Sequence, residues 1–462
     1  MKKMNSNFPS NWEMLKLSEI SKIIIGQSPP SSTYNTEKIG LPFFQGKAEF
    51  TALYPIVRKW CSKPLKIADQ FDILLSVRAP VGSSNIADRK CCIGRGLFAI
   101  HYPDCYMFLF YYFRLIERDL DRLGIGTTFK AISSKTINEL LIPVPPLLEQ
   151  KKIVEKIEEL FSELDSGVLV LKKAKEQIKT YRQAVLNFAF LGKLTHDHLN
   201  PIQVQPDFEP SISKVAESQT QYSLNHDLSD YKINRIKSPE KSAKSLNPEN
   251  PGSDNYAKNL PPGWKWVALG ELSESMKNGI YKPASFYSDN GIACLRMYNI
   301  QNGKIDWVNI KRMNISEKEI KEYELLKGDI LVNRVNSKEL VGKSALIKNG
   351  IEKCIFESKN IRLRLKAGLN SAYTNFWLLL YASQYFNKNA QQTVGMASIN
   401  QTQLSAMPIP VPPLIKQTLI VQEIEKRFSE ADNLEKAIDE SLSKAETLRQ
   451  SILKQAFEGR LL

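Results

Sequence analysis

A long internal repeat constrains the fold of this chain more than any other feature of its sequence. The hexapeptide Ile-Pro-Val-Pro-Pro-Leu occurs at Ile142–Leu147 and again, unchanged, at Ile409–Leu414, which is 267 residues later. The similarity continues without a gap through the following segments as far as the pair Leu194/Leu461. Solenoid units are much shorter, at about 20–50 residues. The repeat therefore predicts a duplicated globular domain, each copy followed by a duplicated helix.

The repeat divides the chain into alternating globular and helical segments. Short β-rich runs separated by Gly, Asn and Ser turns, with a helical stretch late in each copy, indicate mixed domains. The segment between the copies is rich in Ser, Asn, Pro, Gln and Lys and has no periodicity, which favours a flexible linker or an irregular strap. The predicted segments are a first globular domain (1–145), a first long helix (146–194), a polar linker (195–258), a second globular domain (259–412) and a second long helix (413–462).

The two helical segments carry apolar residues at alternating spacings of four and three, which is the heptad pattern of a coiled coil. In the first copy this pattern comprises Ile153, Ile157, Leu160, Leu164, Gly167, Leu171, Ala174, Ile178, Tyr181, Val185 and Phe188. In the second it comprises Ile420, Ile424, Ala431, Leu434, Ile438, Ala445, Leu448 and Ile452, with Arg427 and Ser441 interrupting it. We expect the two helices to pack against each other within one chain; a coiled coil with a second copy or a partner protein is the alternative.

The charge of the chain favours a polyanionic partner. Its 462 residues include 63 Lys and Arg against 49 Asp and Glu, a net charge of +14. Such a balance is typical of proteins that bind nucleic acid. The six cysteines have no paired metal spacing. No apolar run approaches the length of about 18–20 residues that spans a bilayer, and Met1-Lys2-Lys3 is followed by polar residues. We expect a cytoplasmic protein with reduced thiols.

Candidate DNA contacts follow equivalent strands or lie in Gly-flanked loops of the two domains. Arginine just past a strand end can bind a guanine edge or a phosphate, although a surface salt bridge is the alternative. Lysines nearby are candidates for phosphate contacts, and small residues beside glycine allow close approach of the backbone, or simply form a tight turn. The candidates are Arg78, Thr127 and Lys130 in the first domain and Arg334, Lys338 and Lys343 in the second.

Two carboxylate clusters permit a different hypothesis. Metal-dependent nucleases place carboxylates and a lysine around Mg²⁺ ions, and this chain carries Asp72 with Asp88-x-Lys90 and Asp329 with Glu357-x-Lys359. Asp72 and Asp329 are equally compatible with turns that enter a strand. No catalytic Asn/Asp-Pro-Pro-aromatic tetrapeptide of a methyltransferase is present, and no Gly-x-Gly-x-x-Gly follows a strand. The aromatic residues of the late helices, among them Phe108, Tyr112 and Trp377, are predicted to be core.

The organisation of the chain resembles the specificity subunit of type I restriction–modification systems. The most specific matches are the repeated motif with its glutamine and the end of each long helix: Ile142–Gln150, Tyr181–Leu194, Ile409–Gln417 and Leu448–Leu461. Matches within the domains are Gly26–Pro29, Pro42–Gly46, Phe71–Leu75 and Gly328–Val332. The resemblance implies an α+β fold, in which two mixed α/β target recognition domains are joined by two long antiparallel helices in an intramolecular coiled coil.

The resemblance also implies a function and partners. Each domain would read one half of a bipartite, asymmetric target in double-stranded DNA, and the helices would set the spacing between the halves. Two methyltransferase subunits would dock along the helices, with restriction subunits joining for cleavage. The chain itself would be non-catalytic and hold no cofactor, while S-adenosylmethionine, ATP and Mg²⁺ would bind the partner subunits. A Mg²⁺-dependent nuclease and a coiled-coil protein scaffold are the alternative hypotheses.

Overall fold

A computed structural model of the protein describes residues 9–126, 130–194, 260–389, 391–393 and 395–462. The linker predicted at 195–258 and the candidate Thr127 lie outside these residues. Within them, no helix combines the length and the apolar character that crossing a membrane requires.

The first globular domain is built from short strands and, among the described residues, three α-helices. Its strands are β1 (Glu13–Lys16), β2 (Lys22–Ile25), β3 (Tyr34–Asn35), β4 (Leu41–Phe44), β5 (Trp60–Cys61), β6 (Ile67–Ala68), β7 (Ile73–Ser76), β8 (Ser84–Ile86), β9 (Cys91–Ile93), β10 (Leu97–His101) and β11 (Leu141–Val144). Its helices are α1 (Leu17–Ile20), α2 (Tyr106–Leu123) and α3 (Ser134–Asn138). The first long helix, α4 (Leu147–Phe190), begins directly after the proline pair Pro145-Pro146, where a missing backbone N–H has no cost.

The second domain repeats this order with additional short strands. Its strands are β12 (Lys265–Ala268), β13 (Ser273–Asn278), β14 (Tyr287–Ser288), β15 (Ile292–Leu295), β16 (Ile300–Gln301), β17 (Lys304–Ile305), β18 (Lys311–Met313), β19 (Ile330–Asn333), β20 (Val335–Asn336), β21 (Ser344–Leu346), β22 (Cys354–Phe356), β23 (Asn360–Leu365), β24 (Gln391–Thr393), β25 (Met396–Ser398) and β26 (Pro408–Val411). Its helices are α5 (Leu269–Leu272), α6 (Glu317–Tyr323), α7 (Ser371–Asn389) and α8 (Gln401–Ser405), and the second long helix is α9 (Leu414–Phe457).

The two domains share one sheet topology. The antiparallel sheet β2–β10–β7–β8 of the first domain corresponds to β13–β23–β19–β21 of the second. The order β3–β5–β4–β9–β6 corresponds to β14–β18–β15–β22, and each contains one parallel pair, β4 with β9 and β15 with β22. In both domains the first strand pairs with the last, so the start of the domain lies beside the start of its long helix. The predicted duplication of a mixed α/β domain is confirmed.

The chain forms two compact units, each of which combines parts of both long helices. The first unit contains the first domain, α4 as far as Lys175, and Glu435–Leu462; the second comprises Glu176–Leu434. In the first unit α4 and α9 run antiparallel, since Arg449 pairs with Asp165 and Lys175 pairs with Asp439 at 2.5 Å. Each globular domain therefore packs with the start of its own helix and the end of the other.

The same kind of ion pair between the two long helices occurs twice. In each case an arginine of one copy of the repeat pairs with an aspartate of the other copy. Arg182 pairs with Asp432 at 2.7 Å in the second unit, and Arg449 pairs with Asp165 in the first. Arg182 and Arg449 are equivalent in the repeat, as are Asp165 and Asp432. The pairing of each arginine with the aspartate of the other copy explains why both residues recur in the repeated sequence.

The recurring glutamine of the repeat connects the first turn of each long helix to the proline pair that precedes it. Gln150 is buried; its side chain donates to the carbonyl of Pro145 at 2.9 Å and accepts from the Tyr102 hydroxyl at 3.0 Å. Gln417 is also buried and donates to the carbonyl of Pro412 at 3.0 Å. Buried amides need such partners, because an unpaired polar group in a core costs free energy.

The far end of each helix is anchored among aromatic side chains. Phe457 of α9 is fully buried in the first unit, 4.9 Å from Phe108 and 5.1 Å from Tyr112 between ring centroids. In the second unit Phe190 of α4 lies 5.0 Å from both Tyr373 and Trp377. The prediction that the aromatic residues of α2 and α7 belong to the core is confirmed.

Beyond the start of each helix, the face along which the helices pack differs from the predicted seam in one of the two sets of heptad positions. Ile153, Ile157, Ile178, Ile420, Ile424 and Ile438 are buried as predicted, and Leu164 and Leu171 are partly buried. Leu434 and Leu448, however, are 53% and 44% exposed, so their assignment to the seam is wrong. The residues one position later turn inward instead, among them Glu435 and Arg449.

The reason for this difference is that charged side chains occupy the inner positions. The second set of seam residues is Phe161, Val168, Lys175, Arg182 and Ala189 in α4 and Phe428, Glu435, Leu442, Arg449 and Ala456 in α9. The Arg449 guanidinium lies 4.4 Å from the ring centroid of Phe161. Long basic side chains pack through their aliphatic stems while their charge is paired, which a search for apolar residues alone does not detect.

Buried thiols provide a test of the two cores. Burial raises the pKa of Cys92 to about 11 and the pKa values of Cys294 and Cys354 to about 12. Burial raises the pKa of Cys105 as well, but this side chain is only partly buried and so can be reached by reagents. Because the thiolate is the nucleophile, we expect iodoacetamide at pH 8 to modify Cys105 of the native protein well before these three. Mass spectrometry of timed digests measures the order. In concentrated urea all six should react; equally fast modification of native Cys294 would contradict the packing.

Candidate nucleic-acid interface

In the first domain, loops that follow several strands are hydrogen-bonded to one another at one end of the sheets. We define the first loop cluster as residues 26–30, 44–46, 77–82, 94–96 and 130–132. The backbone hydrogen bonds that connect it are Gln27 N to Ile93 O (3.1 Å), Gly94 N to Phe44 O (2.8 Å), Val77 N to Gly96 O (3.0 Å) and Ile132 N to Val77 O (3.0 Å). Loops supported in this way on a rigid scaffold are where binding residues are commonly found.

The second domain brings together the equivalent loops. The second loop cluster comprises residues 279–283, 295–299, 334–343, 357–359 and 395–399. The connecting bonds are Ser358 N to Ile280 O (2.9 Å), Glu357 N to Leu295 O (3.0 Å), Arg334 N to Lys359 O (2.8 Å) and Ile399 N to Arg334 O (2.9 Å). The two domains therefore present the same arrangement of loops with different side chains.

A glycine in each cluster permits the close approach of two loops. A Cβ on Gly26 would lie 2.2 Å from the Gly94 carbonyl oxygen, and one on Gly279 would lie 2.2 Å from the Glu357 carbonyl oxygen. Both obstacles are backbone atoms, which cannot rotate away as a side chain can. Glycine is thus required at these positions by the packing of the loops.

Of the candidates in the first domain, Arg78 is exposed and Lys130 is paired within the protein. Arg78 lies at the edge of the cluster, where its backbone forms a bridge with Ala131. The Lys130 ammonium forms a 2.7 Å ion pair with Asp121 of α2, and its hydrogen bond lowers the pKa of that carboxyl group. Part of the positive charge of Lys130 is therefore balanced before any ligand binds, whereas the structure leaves Arg78 at the surface.

The three candidates of the second domain differ in their surroundings. The Arg334 guanidinium donates to the carbonyls of Ile399 at 3.3 Å and Ser358 at 3.4 Å, so it connects two loops of the cluster. Lys338 is exposed on the turn after β20. Lys343 is partly buried, which lowers the pKa of its ammonium group, and no carboxylate of the described residues lies within ion-pair distance.

Several residues that the clusters display are not among the DNA contacts predicted from the sequence. Gln45 and Arg296 directly follow the equivalent strands β4 and β15. Tyr281 and Tyr298 of the second cluster are 81% and 60% exposed. Arg95 and Lys359 are exposed at the turns that follow β9 and β22. The signal that could have identified them is the alignment of strands between the two domains, which the divergent loop sequences conceal.

The carboxylates of the nuclease hypothesis contact protein groups. Asp72 is buried, and one of its oxygens lies 2.7 Å from Nδ1 of His101. Asp329 is buried at the same place in the second domain and accepts two hydrogen bonds from Arg364, at 2.7 and 2.8 Å. Both aspartates thus link neighbouring strands. Within the described residues, no group of three or more His, Cys, Asp or Glu side chains has the arrangement of a metal site.

Comparisons with known proteins agree on one family. The sequence profile of the family described as "Type I restriction modification DNA specificity domain" matches residues 9–178 and 261–444. A candidate specificity subunit of the MjaX type I restriction enzyme from Methanocaldococcus jannaschii is 45% identical over 192 residues, covering 40% of this chain and 44% of that protein. The EcoBI specificity subunit from Escherichia coli is 26% identical over 341 residues, covering 73% of this chain and 61% of that subunit.

The chain therefore spans less than two thirds of the length of these relatives. One solved structure, described as "Structural basis underlying complex assembly and conformational transition of the type I R-M system", aligns with a TM-score of 0.67 at 19% identity. The alignment covers 98% of this chain and 99% of that one. This similarity supports the fold, namely two mixed domains and two long helices.

Proposed function

Because the chain belongs to the family of type I restriction–modification DNA specificity domains, we propose that it is the DNA-recognition subunit of such a system. Each loop cluster reads one half of a bipartite target. The duplicated loop arrangement is the observation that carries this proposal: one scaffold, present twice, holds five loops at the end of its sheets. Recognition of bases requires side chains that are held in register by a rigid support.

Different side chains at equivalent positions make the two half-sites unlike. Gln45 of the first cluster corresponds to Arg296 of the second, and Gly94 corresponds to Glu357. Groove edges are distinguished by their hydrogen-bond donors and acceptors, so an amide and a guanidinium select different bases. The target is therefore asymmetric, although the protein that reads it is internally repeated.

Exposed cations around the clusters supply contacts to the DNA backbone. Arg78 and Arg95 border the first cluster, and Lys338 and Lys359 border the second. Each phosphate contact releases condensed counterions and adds affinity without sequence preference. Lys130 contributes less, because Asp121 already balances its charge. The net charge of +14 is consistent with this division between cations that hold the DNA and loops that select its sequence.

The long helices are the docking surface for protein partners in this proposal. Tyr181 and Leu448 are equivalent in the repeat, and both are exposed, at 39% and 44%; Leu434 is 53% exposed. Leu434 and Leu448 lie outside the packed face, where apolar side chains are available for contact with another protein. Two methyltransferase subunits dock here, one on each copy, and restriction subunits join them. S-adenosylmethionine, ATP and Mg²⁺ bind those partners, and this chain acts as a non-catalytic recognition subunit.

Methylation sequencing tests the proposal directly. Co-expression with a methyltransferase subunit of a type I system is expected to methylate adenine within a split motif, with two unlike halves at a fixed spacing. The methyltransferase subunit expressed alone is the control and should give no such motif. A stable complex that methylates DNA without sequence preference, or within one contiguous motif, would contradict recognition by two clusters.

A further inference from the structure

The residue that follows the middle strand of each domain occupies an equivalent and central position in the loop cluster. Strands β4 and β15 each lie between a parallel neighbour (β9 or β22) and an antiparallel neighbour (β5 or β18). Gln45 is the first residue after β4, and Arg296 is the first after β15. The Gln45 carbonyl lies close to Gly96, and the loop that begins at Arg296 is held by Glu357. Both positions therefore adjoin a neighbouring loop of their cluster.

Arg296 carries a guanidinium group whose Nε has no hydrogen-bond acceptor in the described part of the protein. Its Nε is buried and unpaired, and no ion pair to it occurs among the described residues. Its guanidinium carbon lies 5.6 Å from the ring centroid of Tyr298, a distance at which the aromatic ring attracts and orients a cation. A buried donor without an acceptor is costly in the free protein. The arrangement favours a ligand that supplies acceptors.

The backbone around Arg296 is well supported, so the side chain is presented from a defined position. The Arg296 N–H donates to Oδ1 of Asn299 at 3.0 Å, and the Met297 N–H donates to Glu357 at 3.0 Å. Asn299 is buried and also donates to the Asp306 carbonyl at 3.0 Å. A recognition side chain selects among ligands only if its backbone does not move to accommodate the wrong one.

We infer that Arg296 reads a guanine in the second half-site and that Gln45 reads an adenine in the first; this rests on the proposed function. An arginine can donate two hydrogen bonds to O6 and N7 of guanine, and a glutamine can form two with N6 and N7 of adenine. A position that served only to bind phosphate would favour a cation in both domains. Here one domain has a neutral amide, exposed and without a hydrogen-bond partner among the described residues. Base recognition accounts for both residues.

The test replaces Arg296 in the full chain and compares methylation motifs. With Arg296→Ala, we expect the second half of the motif to lose discrimination at one G·C pair by about 10- to 100-fold, while the first half is unchanged. Arg296→Lys keeps the positive charge but removes the paired donors of the guanidinium group, so this variant should lose discrimination as well. With Gln45→Ala, the loss should occur at one A·T pair of the first half instead.

Controls separate this inference from alternatives. Arg312→Ala removes an arginine that is already paired with Glu352 at 2.5 Å, and it should leave the motif unchanged. If Arg296→Ala weakens binding equally for all sequences and Arg296→Lys restores it, Arg296 binds phosphate and the inference is wrong. An unchanged motif in folded Arg296→Ala protein, verified by its melting curve, would also overturn it. Absence of any split motif with the unmodified chain would instead reject the proposed function, and this inference with it.

Discussion

Replacement of Phe457 by alanine is expected to lower the free energy of unfolding of the first unit by about 3–5 kcal/mol. The ring is fully buried at the end of α9, against Phe108 and Tyr112. Its removal leaves a cavity among large aromatic side chains that cannot collapse to fill it. Because the chain has two units, scanning calorimetry should be used to follow a shift of one transition.

Two further variants make this expectation specific. Phe190→Ala removes the equivalent ring from the second unit and should shift the other transition by a similar amount. Leu448→Ala removes an apolar side chain from the same helix as Phe457, but at a position that is 44% exposed. It should change stability by about 0.5 kcal/mol or less. If Leu448→Ala lowered the free energy of unfolding as much as Phe457→Ala does, Leu448 would have to be packed in the helix–helix seam.

A Cβ at Gly26 is expected to destabilise the first loop cluster by about 3 kcal/mol, at the upper end of overpacking costs. In Gly26→Ala the added carbon meets the carbonyl oxygens of Gly94 at 2.2 Å and Leu97 at 2.5 Å. The loops must separate, so recognition of the first half-site should be lost while the second is kept. Methylation sequencing and a melting curve of the same variant measure the two effects.

The same cluster contains a matched control for this variant. A Cβ on Gly46 meets no atom within 4 Å, so Gly46→Ala should leave the melting temperature unchanged. Gly279→Ala should produce the complementary result, loss of the second half-site alone. If Gly26→Ala retained both half-sites at normal stability, the loops would not be packed as described.

Repetition in the sequence predicted the architecture, but it did not predict the details of packing. The proline pairs predicted helix starts, and α4 and α9 begin directly after them. The heptad positions that include Ile157, Ile178, Ile424 and Ile438 are buried as predicted. The other set was displaced by one residue, since Lys175, Arg182, Glu435 and Arg449 pack inward and form ion pairs there. Hydrophobic periodicity cannot detect a seam that is closed by charged side chains.

Candidate contact residues were harder to predict, because their environment comes from distant parts of the chain. The sequence alone does not reveal that Lys130 forms an ion pair with Asp121 of α2. The sequence predicts Arg334 as a DNA contact, but its guanidinium is hydrogen-bonded to two carbonyls within the protein. The position of Arg296 directly after β15 is visible only once the strands of the two domains are aligned. The contact roles of Arg78, Lys338 and Lys343 remain predictions.

The composition of the two compact units has a consequence for chain connectivity. A cut between Leu194 and Leu260 would divide the polypeptide into its two repeats, but it would not divide it into its two compact units. The first fragment would carry the helix end with Phe190, which completes the aromatic core of the second domain. The second fragment would carry Phe457, which completes the core of the first. Each fragment would thus remain bound to the other, because each supplies the helix end that completes the other fragment's core. This is the arrangement of a domain-swapped dimer, with the two copies joined in one polypeptide.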